Sequence, residues 1–446
     1  METRTTIQCQ SQQKHFPFPI NVPNAAPFLS LPFCRLPFKA GTFKVERGTL
    51  NQFTDFRITN KPYLNVEIRK VAFEHEFWTL AVTIAQKVEQ VYIKVTPTEL
   101  LVSCSTGANE RHLSQYAYHT VCRLIERHKG SGFYDYYWPD LGSGALQKKF
   151  LKLLKSKTGL EVLSRDHLQG LFKPGQFLPK IEQDTIEIQN AWNIEQKKLN
   201  YIPEKIISYN LLATPFYHWE TDNHYPFLMP YQGILDTDKT DVNSFSQHNF
   251  DSTEPTPTNN LTLEEKQLNE ICSSMRTIAP IKTPYNELFH LSQAEIRQVN
   301  LANFKALLKL WKLAFPLLHH QRHTYNTYTV SMRPTRNKST PCNFNNQQAE
   351  LCILRKEHPH HYSLSLLISI QGKIHQLPNH FEPTFFVATA ENPKEYYLLN
   401  SVTDCSVLAF FEETDYKLLI LKLHYDMYFK LFEDQLRERY KFISRK

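Results

Sequence analysis

An α+β protein of two domains is the fold class this sequence predicts, and three observations predict it. Between Tyr63 and Ser105 apolar and polar residues alternate, the period of half-buried strands. Between Ser114 and Arg127 the apolar residues fall three and four apart, the period of a helix buried on one face. Beyond a polar stretch at 236–262, helical segments give way to short apolar runs separated by turn residues. At 446 residues the chain is longer than one hydrophobic core organises, so more than one domain follows.

The first 40 residues hold "HFPFPINVPNAAPFLSLPF". Proline has no N–H to give, so density of this kind excludes helix and central strand. An extended run is expected, with its phenylalanines in surface grooves. Domain one is expected at 41–235. "YLNVEIRKV" sets Leu64, Val66 and Ile68 opposite Asn65, Glu67 and Arg69, and "FWTLAVTIA" reads as a buried strand. "VEQVYIKV" and "ELLVSCS" form a hairpin around Thr96-Pro97-Thr98, and the helix over 114–127 follows. After the turn-rich aromatic phrase "GSGFYDYYWPDLGSG", the stretch "ALQKKFLKLLKSKTG" predicts a second helix.

The linker "DTDKTDVNSFSQHNFDSTEPTPTNNLT" has too few apolar residues to pack. The second domain, 263–446, opens on a helix with Thr262 as N-cap and Glu265 as capping-box partner. "NFKALLKLWKLAFPLL" predicts another helix with Pro316 near its end. Strands are expected at "AELCILRK", "YSLSLLISI", "TFFVAT", "EYYLLN", "SVLAFFEE" and "YKLLILKL", and a final helix at "YDMYFKLFEDQLRERYKF".

Composition narrows the function classes. Only 12 glycines stand against 26 prolines, which argues against glycine-rich nucleotide-binding loops. No G-x-x-x-x-G-K-[ST] occurs, and "LGSGALQKKF" lacks the hydroxyl after its lysine, so a P-loop phosphate cradle is missing. H-E-x-x-H, G-x-S-x-G and EF-hand patterns are also absent, and no catalytic constellation stands out, so an enzyme is not expected. The eight cysteines are scattered without a C-x-x-C pair, which fits free thiols in a reducing interior. No run reaches the roughly 18 apolar residues of a membrane helix, and the first 20 residues carry no apolar leader core, so a soluble cytoplasmic protein is expected. A formal charge of +7 and a pI near 8.8 are compatible with a nucleic-acid partner.

Two groups of residues point to chemistry. Lys148, Lys149, Lys152, Lys155 and Lys157 crowd one segment without an acid, and Arg123, Arg127 and Lys129 could extend the patch. Such cations neutralise phosphate without reading sequence. The rings of "FYDYYW" could stack on unpaired bases. The plain alternative is a solvated helix face and a turn packed by its own rings. A lesser basic patch lies at Arg333, Arg336 and Lys338, and histidines cluster at His319, His320, His323 and at His358, His360, His361, read as surface residues.

The second group is strand, turn, strand and helix from Val91 to Arg127, with Cys104 closing the second strand and His119 and Cys122 on the helix. Zinc needs four converging N or S ligands, which a hairpin and a helix can supply in pairs. The stretch resembles the SWIM-type zinc finger, C-x-C then C-x-H at a helix start. Cys104 matches its first cysteine and His119 its histidine, while Thr106 and Ala117 occupy the other two positions. His112 and Cys122 are the only nearby substitutes, at other spacings. The alternative is that Cys104 and His119 are packing residues under a ββα unit.

More diffusely, "LLKLWKLAFPLLHHQRH", "HYSLSLLISIQGKIHQL" and "FFVATAENPKEYYLLNSVTDCSVLAFF" are similar to the accessory region of bacterial Swi/Snf-type helicases of the Bacteroidetes kind. The resemblance implies a non-catalytic, nucleic-acid-associated accessory protein lacking the ATPase core. Its partners would be DNA or RNA and a separate helicase-type ATPase. A scaffold that docks on such a helicase without binding nucleic acid or metal is the alternative.

Overall fold

The computed structural model describes residues 27–54, 65–127, 132–157, 159–184, 205–213, 224–238, 241–246, 261–282, 293–327, 335–379 and 384–444. Strand β1 (Cys34–Pro37) and helical turn α1 (Arg47–Gln52) precede β2 (Val66–Glu74), β3 (Phe77–Ile84), β4 (Lys87–Val95), β5 (Glu99–Cys104) and helix α2 (Gln115–Arg127). The strands form one antiparallel sheet in the order β1-β5-β4-β3-β2. Two-residue turns, His75-Glu76 and Ala85-Gln86, join β2 to β3 and β3 to β4 with positive φ at both positions. That geometry matches the right-handed twist of the strands.

The alternation then sorts the side chains. Leu80, Val82, Val91, Ile93, Leu100 and Val102 share a core with Ala117, Val121 and Leu124 of α2. Tyr92 and Phe77 point to the other face, where Phe28 stacks on Tyr92 at 5.0 Å and Phe33 meets Phe77 at 5.1 Å. The expected grooves for phenylalanine therefore exist for Phe28 and Phe33; residues 1–26 lie outside the described residues. The 1–40 stretch is also more than an extension, since β1 pairs with β5.

Two short helices, α3 (Tyr134–Tyr137) and α4 (Ala145–Lys149), and a hairpin of β6 (Leu151–Lys155) and β7 (Leu160–Ser164) complete this first lobe. The long lysine-rich helix expected over 145–159 is thus a correction: one helical turn, then a strand. Leu151 and Leu153 meet the facing strand "LEVLS", with Leu151 opposite Ser164 and Leu153 opposite Val162. Arg165 reaches back to end α4, donating to the Lys148 carbonyl at 2.9 Å. A guanidinium there answers the free carbonyls and negative pole of the helix end.

The second lobe runs through β8 (Lys205–Leu212), β9 (Phe227–Leu235), β10 (Val242–Ser246), α5 (Leu263–Ile278), α6 (Gln293–Leu318), β11 (Thr324–Thr327), β12 (Ser339–Pro341), β13 (Asn343–Asn345), β14 (Ala349–Glu357), β15 (His361–Ile370), β16 (Lys373–His375), β17 (Phe386–Val387), β18 (Glu395–Leu398), α7 (Val402–Glu412), β19 (Lys417–Leu421), α8 (Lys422–Tyr428), α9 (Lys430–Arg439) and β20 (Lys441–Ser444). The helical segment followed by mainly antiparallel sheet matches the expected α+β class. Thr262 caps α5 in a full capping box with Glu265. Trp311 of α6 is fully buried among Phe315, Phe344 and Phe386, and its Nε1 donates to the Pro226 carbonyl at 3.1 Å.

Apolar packing does not break at 236–262. One sheet has the order β10-β9-β8-β11-β12, so strands before and after that stretch pair directly, and β10 itself lies within it. The core containing Phe172, Tyr209 and Tyr231 is the one containing Trp311 and Phe429. The cores divide between Val162 and Phe172 instead.

One further expected element changes type and another is broken. "SVLAFFEE" belongs to helix α7, where Ser401 Oγ accepts the Asp404 N–H at 3.0 Å. A short run buried nearly all round has no amphipathic period, so strand and helix look alike in it. The final helix is broken at Phe429 into α8 and α9, and β20 then pairs parallel with β14. Ion pairs fix that ending: buried Glu433 takes Arg355 at 3.1 Å and Arg437 at 2.5 Å, and Arg439 reaches Asp404 at 3.2 Å.

The segment 170–175 stitches the lobes together. Phe172 N–H donates to Leu419 O at 2.7 Å, Leu419 N–H to Gly170 O at 3.0 Å, and Glu76 N–H to Gly175 O at 2.9 Å. Gly175 sits at φ +77°, and a Cβ there would lie 2.7 Å from the Phe73 ring. Leu421 and Tyr428 of the second lobe pack into the first lobe's core.

Candidate nucleic-acid interface

The finger-shaped unit has the expected ββα outline, and its interior is apolar. Cys104 is buried on the α2 side of the sheet, with Sγ 3.8 Å from Thr106 Oγ1. Ala117, at the third ligand position, is buried against the strands. His119 is half-buried, its ring edge-on to Tyr118 at 5.4 Å. Burial and the Arg123 charge hold its imidazole below the usual range. Cys122 shares a hydrogen bond with the Tyr118 hydroxyl, and burial pushes its thiol up. His112 keeps a buried Nδ1 with no hydrogen-bond partner. Among the described residues no three or more His, Cys, Asp or Glu side chains converge as a metal site would require, so Cys104, His112, His119 and Cys122 are not brought together as ligands. The seven described cysteines are all free.

The aromatic phrase also resolves differently from the stacking expectation. Phe133, Tyr136 and Trp138 are buried in the first core, so those rings are spent on packing. Arg123 pairs with Glu126 at 3.3 Å, and Glu126 also takes Arg47 at 3.6 Å. No described hydrogen bond or ion pair joins Arg123 or Arg127 to the lysines of α4 and β6. Of the lesser patch, Arg336 is held by Asp241 and by the Ser339 carbonyl at 3.0 Å, Lys338 is exposed, and Arg333 lies outside the described residues.

The lysines of α4 and β6 remain on the surface. Lys148, Lys149, Lys155 and Lys157 are exposed and Lys152 is half-buried. In a helix, Lys148, Lys152 and Lys155 would form one stripe. In the strand, Lys152 and Lys155 point to opposite faces, so the patch is split and Lys148 and Lys149 carry its centre. Lys152 is occupied by Asp166 at 2.9 Å, and that contact holds the Asp166 carboxyl below its usual range.

Lys149 leads to what the sequence kept hidden. Its Nζ lies 2.7 Å from Nε2 of His360, 211 residues away, and the His360 ring packs edge-on against Phe150. His360 sits in the β14–β15 turn with His358 and His361, whose rings stack at 4.4 Å and 19°. Burial, then the charges of His358, Lys417, His360 and His167, holds the His361 imidazole below its usual range. That environment gathers residues from β7's exit, the β14–β15 turn and β19 around one point. The nearest acid of this turn, Glu357, is taken by Lys422 at 2.5 Å. Among the described residues no carboxylate pairs with Lys148, Lys149, Lys155 or Lys417. The seam between the lobes therefore presents lysines that no described carboxylate neutralises, beside histidines that contact Lys149, Ser363 and one another. Histidine clustering was visible in the sequence, and so were the lysines; their meeting was not.

Comparison of the chain with protein families, curated proteins and solved structures returned no match. No described helix is long and apolar enough to cross a membrane.

Proposed function

We propose that this chain is a non-catalytic, nucleic-acid-associated accessory protein that holds the phosphate backbone at the seam between its lobes, with a helicase-type ATPase as a partner. The single observation that carries the reading is the Lys149–His360 contact, which joins the lysines of α4 and β6 to the histidines of the β14–β15 turn. The contact is electrostatic and made to phosphate, so it discriminates little between sequences. Phe133, Tyr136 and Trp138 are buried, and Tyr134 and Tyr137 pack on Phe43, so base stacking has no part in this reading. Likeness to the accessory region of Swi/Snf-type helicases supports the same reading. Replacing Lys148, Lys149, Lys152 and Lys155 by Ala is expected to weaken oligonucleotide binding at least about tenfold and to flatten its salt dependence. Unchanged binding, or no DNA or RNA binding by the parent chain at low salt, overturns the proposal.

One observation favours the alternative of a docking scaffold. Leu423, Met427 and Leu431 are 50%, 76% and 75% exposed, at helical spacing across α8 and α9. Stable association with a purified helicase-type ATPase, lost on Met427→Lys and Leu431→Lys, with no oligonucleotide affinity, would select it.

A further inference from the structure

We infer that the histidines of the seam make its phosphate site proton-linked, so that a polyanion binds with uptake of protons and binds more tightly as pH falls. The inference rests on the reading above and adds to it a ligand chemistry and a control.

The geometry sets the argument. Lys149 is a donor only, so at 2.7 Å it donates to Nε2 of His360, which accepts through that nitrogen's lone pair. A phosphate oxygen arriving here is a stronger acceptor for Lys149 than an imidazole is. Once Lys149 turns to the phosphate, His360 Nε2 loses its donor and faces an anion. Both changes favour the imidazolium, which then donates to the same phosphate.

The stacked pair acts in the same direction. His358 and His361 stand 4.4 Å apart, so both carry charge only at the cost of close repulsion. Lys417 adds positive charge beside His361, and His358 Nε2 already engages Ser363 at 3.2 Å. Of the described carboxylates that ion-pair at this surface, Glu357 is held by Lys422 and Asp166 by Lys152. Neither acid is free to serve as the counter-charge, so in the unliganded protein protonation of His361 is opposed by burial and by its neighbours. A phosphodiester chain supplies the missing negative charge. Binding and protonation are then linked reciprocally: what protons do for phosphate, phosphate does for protons.

The measurement uses the full chain and a fluorescein-labelled mixed-sequence single-stranded DNA at constant ionic strength. Affinity is expected to rise at least about tenfold from about pH 8 to about pH 6, the slope equalling the protons taken up. The variant with His358→Gln, His360→Gln and His361→Gln is expected to lose the slope. Titration calorimetry of the unaltered chain, in two buffers of different ionisation enthalpy, counts the protons directly and needs no variant to fold. Binding with no proton uptake, or a slope that survives the three substitutions in a folded variant, overturns this inference and leaves the proposed function standing. Absence of binding at every pH overturns both.

Discussion

The two lobes differ in how much of their strand pairing reaches across distant chain. In the first, β2 to β5 follow one another through tight turns, and α2 closes over them directly. In the second, β8 finds β11, β13 finds β18, and β14 finds β20, each across a long intervening chain. Local pairing leaves a clear periodic trace and needs little loop closure; distant pairing leaves none. The difference teaches where a candidate site can hide. The finger outline of the first lobe was visible and its metal ligands are not assembled. The cationic seam was invisible and exists only because the second lobe returns against the first.

The sharpest way to break the comparison is Trp311→Ala. It removes the centre of the second core and is expected to cost about 3–5 kcal/mol. Denaturant unfolding reads the loss, and hydrogen exchange should show β3 and β4 retaining more protection than β14 and β15. Equal loss of protection in both lobes would mean that they unfold as one unit.

Next comes Leu124→Ala on α2, expected to cost about 2–5 kcal/mol because apolar packing holds the ββα unit. A strong chelator should leave the unfolding transition of the parent chain unmoved, and elemental analysis should find less than about a tenth of an equivalent of zinc. A chelator-sensitive transition would restore the finger as a metal site.

Gly175→Ala tests the stitching segment. Its backbone lies in the left-handed region and an added Cβ meets the Phe73 ring at 2.7 Å, so a cost of about 1–3 kcal/mol is expected. Faster proteolysis between the lobes would mark the seam as the part that gives way.

The smallest effect concerns pH. His424 is 1% exposed at the seam, with Nε2 3.3 Å from the Pro139 carbonyl and 3.7 Å from Asp140. Burial holds its imidazole below the usual range, against the pull of Asp140. The unfolded chain therefore binds the extra proton. This contribution to stability is complete above the ordinary histidine range and is lost as pH falls through the folded-state value. Thermal unfolding should show the decline, and His424→Phe should remove part of it. A variant that declines as steeply as the parent assigns the effect to other groups.

Several features were legible from residues alone because each is set by neighbours in the chain. The alternation in β3, the helical spacing of Ala117, Val121 and Leu124, and the Thr262–Glu265 capping box all belong to this kind. Ser401 and Asp404 carried a similar cap signal at the start of α7, overshadowed by the apolar run after it. Tertiary structure decided what local preference left open. "LKLLK" suits helix or strand, and the facing "LEVLS" made it β6. The same decision scattered the lysine stripe over two faces, and the return of the β14–β15 turn set His360 beside Lys149. Local sequence sets periods, caps and turns, because these are interactions a few residues long. Which segments then bury one another, and which charges meet at their border, is settled by apolar contact between residues far apart in the chain, and no window of sequence contains it.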